Sequence, residues 1–127
     1  MAITQKRSQR KSTGGRYKNT ASKKKAHNGS QPTLTKIGPT KIKEIRVLAG
    51  KTKQRTLFAS KINVANPKTK KVQVETLVTV IENPANRNYT RRNIVTKGSV
   101  VELESGKKAK ITSRPGQSHI INGVLVE

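Results

Sequence analysis

The sequence predicts an all-β fold: a small antiparallel β-barrel body carrying a long, basic, non-globular N-terminal extension. Three observations carry that reading. Composition changes sharply near Gly38-Pro39, a turn-forming pair hostile to helix. Residues 1–40 hold ten Lys or Arg, no acid, and only Ile3, Leu34 and Ile37 as large aliphatics after Met1. Residues 41–127 hold twenty-five Ile, Val, Leu or Phe and all six acids, so only they can bury a core. The expected division is therefore a basic extension over residues 1–40 and a β-barrel domain over 41–127. Within the second part the apolar residues are largely β-branched and fall in short runs roughly 8–12 residues apart, bounded by turn residues, as in small barrels and sandwiches.

The extension is dominated by residues 6–25, with nine Lys or Arg, the Gly14-Gly15 pair, one aromatic (Tyr17) and no aliphatic larger than Ala21. It cannot bury enough apolar surface to offset lost chain entropy, so it is expected to be disordered alone and ordered on a polyanion. In the body, residues 41–48 read as a first strand ended by Ala49-Gly50, with Ile42 and Ile45 three apart, which implies a bulge or a later start. Residues 54–65 form a second extended stretch, closed by an Asn66-Pro67-Lys68-Thr69 turn. Residues 71–75 alternate at period two and 77–81 are more continuously apolar, which predicts a strand half exposed at its start and buried on both faces at its end.

A polar, Asn-rich, basic connection follows over residues 83–92, then a short strand over 93–96 and a turn at Lys97-Gly98. Residues 100–104 and 108–112 flank the Ser105-Gly106-Lys107 hairpin loop, and Arg114-Pro115-Gly116-Gln117 is a further turn. Asn122-Gly123 between residues 119–121 and 124–126 reads as a terminal hairpin.

The formal charge is +22, from 28 Lys and Arg against 6 acids, more than solubility requires; nucleic acid is the leading partner. An anionic membrane would favour a basic amphipathic helix with bulky apolar anchors or a lipidation signal, and neither is present. The opening residues lead straight into charge, with no secretory signal, and the most apolar window is five residues long against about 20 for a membrane helix. With no Cys there is no disulfide framework and no thiolate metal site.

No catalytic constellation emerges, and neither a metal, a cofactor nor a small-molecule substrate is expected. His27 and His119 lack further ligands, and the chain has no Asp. Glu102 and Glu104 share a strand face, where charges paired with Lys108 or Lys110 explain them better than a catalytic pair. Gly14-Gly15 lacks the spacing of a nucleotide-binding loop.

The candidate RNA-binding residues fall in two groups. In the extension Lys6, Arg7, Arg10, Lys11, Arg16, Lys18, Lys23, Lys24 and Lys25 can sit on phosphates. About eight such contacts give a slope of log affinity on log salt of roughly −7. Gly14 and Gly15 allow close backbone approach, Ser12 and Thr13 add hydroxyl donors, and Tyr17 can stack on an unpaired base. In the body Arg87, Arg91 and Arg92 lie around Tyr89, with Lys97 and Arg114 on later turns. Other basic residues form a diffuse third group. No helix-turn-helix, zinc-finger or basic-zipper pattern is present, and the aromatic stripe of single-strand binders is missing, which favours a structural RNA binder reading backbone and shape.

Several stretches resemble one family: residues 10–15 (Arg-Lys-Ser-Thr-Gly-Gly), 41–47, 63–67 and 96–98, the run 82–94 (Glu-Asn-Pro-Ala-Asn-Arg-Asn-Tyr-Thr-Arg-Arg-Asn-Ile), and 112–117 (Thr-Ser-Arg-Pro-Gly-Gln). The chain resembles the archaeal-type members of small-subunit ribosomal protein family eight-e, over nearly its whole length. It departs from the family pattern at residues 2–5, 26–32 and 48–50. The resemblance implies a β-barrel with a basic N-terminal extension, a cytoplasmic place in the ribosome, and partners that are small-subunit ribosomal RNA and neighbouring small-subunit proteins. It implies no catalytic activity. On composition alone, a free-standing RNA chaperone or chromatin-type protein, or a binder of anionic membranes or other polyanions, stays open.

Overall fold

A computed structural model of the chain describes residues 7–18, 24 and 28–126. The chain divides into two compact units, Met1–Pro32 and Thr33–Glu127. Among its described residues the second unit contains eight strands, a 3-10 turn at Leu48–Gly50 and one short α-helix: β1 (Lys36–Ile37), β2 (Lys41–Arg46), β3 (Thr52–Ala59), β4 (Lys61–Ala65), β5 (Val72–Glu82), α1 (Arg87–Arg91), β6 (Val100–Leu103), β7 (Lys108–Ile111) and β8 (Asn122–Val126). Strands β4 to β8 close into a five-stranded barrel, and β1, β3 and β2 form a separate three-stranded sheet in that order.

The barrel is filled by period-two alternation. Ile62 and Val64 of β4, Val101 and Leu103 of β6, and Ala109 and Ile111 of β7 are buried, with Leu77, Val80, Val95 and Ile121 completing the core. Four of its five strand pairs are antiparallel. The fifth corrects the expectation of a purely antiparallel barrel: β8 lies parallel to β4, with Asn63 opposite Asn122 and Ala65 opposite Val124.

That closing pair also overturns the hairpin expected at Asn122-Gly123. Both residues belong to β8; Ile121, just before it, and Gly123 are buried and Leu125 is half-buried. The alternation over residues 121–125 prevails over the local turn signal, and the glycine is explained by space. A Cβ at position 123 would lie 3.0 Å from Ile62 Cδ1 and 3.1 Å from the Lys110 carbonyl oxygen.

Strand β5 is not buried on both faces towards its end. Leu77 and Val80 are buried, but Val78 is 52% and Ile81 40% exposed. Its pairing to β6 slips between Leu77 and Thr79 and again between Val80 and Glu82. Each slip adds a residue to one side of the ladder, which is how residues three apart both come to face the core.

The extended stretch over residues 54–65 breaks at Ser60 into β3 and β4, which belong to different sheets. Strand β2 stops at Arg46, and positive φ at Ala49 (59°) and Gly50 (68°) turns the chain into β3. The register slips between Lys41 and Ile42, matching the imperfect alternation there. Residues 93–96 make only a single bridge, Ile94 to Lys36, because Asn93 takes a positive φ of 49° and Ile94 and Val95 are buried in succession. The aliphatic-poor residues 33–40 belong to the second unit. Thr35 is buried and donates to the Thr56 carbonyl at 2.6 Å, a polar anchor invisible to an aliphatic count.

Candidate nucleic-acid interface

In the first unit, residues 7–18 turn back on themselves, where composition predicts a chain without structure of its own. Gly14 N–H donates to the Lys11 carbonyl (3.0 Å), Lys11 N–H to Gly15 (2.7 Å), and Tyr17 N–H to Gln9 (2.8 Å). Gly14, at φ 84°, supplies the left-handed residue that such a turn needs. In place of a buried core, cations pack on the one aromatic: the Arg7 guanidinium stands 3.7 Å and Lys11 Nζ 5.5 Å from the Tyr17 ring centroid. Every residue from 7 to 18 is exposed.

This hairpin presents Ser12 and Thr13 at its tip and sets Arg10 directly opposite Arg16. Like charges across a ladder repel, and an anion between them relieves the repulsion. Arg10 Nη1 also donates to the Gly14 carbonyl at 3.4 Å. Lys18 and Lys24 are exposed, while Lys6, Lys23 and Lys25 lie outside the described residues.

In the second unit the polar connection after β5 is built by two asparagines. Asn83, 6% exposed, donates through Nδ2 to the Ile94 carbonyl (3.0 Å). Its Oδ1 accepts from Ala85 N–H (3.0 Å) and from the Thr96 hydroxyl (3.0 Å), so both ends of the loop are tied to one side chain. Asn93 Oδ1 accepts from the Thr79 hydroxyl (3.1 Å) and from Val80 N–H (3.3 Å), within the bulged stretch of β5. Between them Asn86 caps α1 by accepting from Asn88 N–H at 2.9 Å.

The helix is one turn long, too short to announce itself by periodicity. Arg87 and Arg91, four residues apart, share a face. Both line an open groove of about 510 Å³ with Ile81, Glu82, Asn83, Pro84 and Thr90. Arg92 is exposed at the end of α1, and Tyr89 is half-buried, its carbonyl accepting from Ile94 N–H at 3.0 Å.

Topology then gathers the other candidates. Glu82 at the end of β5 pairs with Val100 at the start of β6, which pairs with Lys110 near the end of β7. Ile111 pairs in turn with Gly123 near the start of β8. The α1 loop, the Lys97-Gly98 turn and the turn carrying Arg114 therefore leave the same rim of the barrel. Gly98 N–H donates to the Ile111 carbonyl (2.8 Å), and the Arg114 carbonyl accepts from Gln117 and Ser118 N–H (2.9 and 3.0 Å). Lys97 and Arg114 are exposed there. Glu102 stands opposite Lys108, the cross-strand arrangement expected of a surface charge. Among the described residues no three His, Cys, Asp or Glu are placed to share a metal ion.

The family model of ribosomal protein S8e matches residues 4–126. The chain belongs to the ribosomal protein S8e family. Among curated S8e-type relatives, a protein of Methanocorpusculum labreanum is 50% identical over 125 residues, covering 98% of this chain and 99% of its own. One of Methanosphaera stadtmanae is 48% identical over 127 residues, with both chains covered completely. One of Sulfolobus acidocaldarius is 45% identical over 127 residues, covering 99% and 98%. Each of the three is named small ribosomal subunit protein eS8. For a ribosomal protein of the S8e family, an exposed cationic hairpin and a cationic barrel rim are surfaces of the right sign for RNA.

The two asparagines that build the rim were not among the sequence candidates. Asn83 falls in the Asn-rich run, which names turns without saying which side chains turn inward to hold them, and Asn93 in a stretch that reads as strand.

Proposed function

We propose that this chain is a structural constituent of the small ribosomal subunit, in the cytoplasm, that binds ribosomal RNA and has no catalytic role. Small-subunit RNA and neighbouring subunit proteins are its partners. The observation that carries the reading is the collection of Arg87, Arg91, Arg92, Lys97 and Arg114 on one rim of a closed barrel. The N-terminal extension is the second RNA ligand: Arg7, Arg10, Lys11, Arg16 and Lys18 neutralise phosphates, and Ser12, Thr13, Gly14 and Gly15 permit close approach at the hairpin tip. Lys6, Lys23, Lys24 and Lys25 add to the same field. Tyr17 and Tyr89 complete the contact set, Tyr17 by exchanging its cation partners for a base.

The mechanism is electrostatic. Cations on phosphates release condensed counterions, which gives affinity without sequence readout, and the fixed spacing of the rim supplies register on folded RNA. The test is sedimentation of the tagged chain with small subunits through high-salt sucrose gradients. A structural constituent stays with the subunit, whereas a free chaperone or a binder of other polyanions washes off and overturns the reading. Deleting residues 1–25 must then reduce both affinity for small-subunit RNA and its salt dependence; if neither changes, the extension is not an RNA ligand.

A further inference from the structure

The β2–β3 ribbon carries charge that neither the extension nor the barrel rim accounts for. Residues 41–55 contain Lys41, Lys43, Arg46, Lys51, Lys53 and Arg55 against a single acid, Glu44. The register places Lys43 directly opposite Arg55 and Ile45 opposite Lys53, so three cations share one face of the ribbon. Glu44 alternates to the other face, where its Oε1 already accepts from Gln54 Nε2 at 2.8 Å. A like-charged pair directly across two strands destabilises the ladder. The Arg55 Nε is moreover buried and lacks a hydrogen-bond partner, so this guanidinium is partly dehydrated without full compensation.

The face is also bordered by the turn that carries Arg114. Lys53 Nζ donates to Gln117 Oε1, and Thr56 N–H donates to the Pro115 carbonyl at 3.0 Å. Strand β3 passes through Ser60 directly into β4, so the ribbon leaves the barrel at the rim already described.

We infer that the β2–β3 ribbon is a separate phosphate-binding element that grips the RNA backbone through Lys43, Lys53 and Arg55. An RNA phosphate relieves the Lys43–Arg55 repulsion and interacts strongly with a guanidinium that has already lost part of its water. The requirement is a chain of closely spaced phosphates rather than one anion, because the three cations are spread along the ribbon. This inference rests on RNA being the partner, as proposed above.

The test uses the full chain and in-vitro transcribed small-subunit ribosomal RNA, with affinity measured across a salt series. Lys43→Glu is compared with Lys71→Glu, an equal change of charge beyond the far end of β4. Lys43→Glu is expected to bind about ten-fold more weakly than Lys71→Glu. Its salt slope should also be shallower by about one to two, at roughly 0.9 per phosphate lost. The same substitution places a carboxylate opposite Arg55, so its thermal midpoint without RNA should rise while its affinity falls. Lys43→Gln decides the matter if Lys43→Glu does not fold, and should also bind more weakly than Lys71→Glu. If neither Lys43 variant loses more affinity than Lys71→Glu, the ribbon is not an RNA-binding element. If Arg87→Ala/Arg91→Ala weakens binding in that same experiment, the wider RNA reading survives this failure. If the unaltered chain shows no salt-dependent binding, the wider reading falls as well.

Discussion

Replacing Gly123 by alanine tests the way the barrel closes. The new Cβ would sit 3.0 Å from Ile62 Cδ1 and 3.1 Å from the Lys110 carbonyl oxygen, both closer than ordinary van der Waals contact. Ile62 is 1% exposed and cannot swing into solvent, and the carbonyl belongs to β7, Lys110 being opposite the neighbouring Val124. Over-packing of this kind costs about 1–3 kcal/mol. At about 2 kcal/mol the midpoint of thermal unfolding should fall by roughly 10 °C, given about 4–8 °C per kcal/mol for a domain of this size.

Ile62→Val removes the Cδ1 that the alanine would strike, at a cost of its own of about 0.5–1.5 kcal/mol. The double variant should therefore be more stable than the two losses added together, with a coupling of at least about 0.5 kcal/mol. Urea unfolding of the four proteins, followed by circular dichroism, measures this. If Asn122-Gly123 were instead an exposed hairpin turn, Gly123→Ala would act through backbone strain alone and the two changes would add. Additivity, or a neutral Gly123→Ala, would refute the closure described here.

Two further outcomes bear on the rim. Asn83→Ala orphans the Ala85 N–H and the buried end of the loop, and is expected to cost about 1–3 kcal/mol in urea unfolding. Arg87→Ala/Arg91→Ala should leave stability within about 0.5 kcal/mol, since both side chains are exposed. It should nonetheless make the salt slope of RNA binding shallower by about two.

What could be read in advance was what depends on near neighbours. Asn66-Pro67 is a turn because Asn66 Oδ1 accepts from Lys68 N–H at 3.0 Å, a bond its own side chain makes two residues on. Ser105-Gly106-Lys107 turns because Gly106 can take φ 75°. Asn122-Gly123 carries an equally strong local signal and is nevertheless strand, because its ladder partners are Asn63 and Val64 on β4, far away in the sequence, and Ile111 on β7. The bulges of β5 are likewise set by β6 and by Asn93, so its apolar run overstated its burial.

The candidate cations were recognisable by type, yet their assembly was not. Arg87, Lys97 and Arg114 meet at one rim only because of the strand order. The opposition of Lys43 to Arg55 likewise depends on a register slip at Lys41.

The parallel pairing of β4 with β8 sets a clock on the molecule's own synthesis. Asn63 and its partner Asn122 are 59 residues apart. At about 5–20 residues per second, β4 waits roughly 3–12 s with one edge unpaired while its neighbour is made. Open edges are templates for pairing with other chains. The defence available in that interval is the chain's excess of positive charge, +22 once complete, which keeps like molecules apart. Salt should therefore lower the yield of refolding from urea in the absence of RNA, an effect that light scattering would record. On this view the charge serves the barrel before it serves the proposed RNA partner.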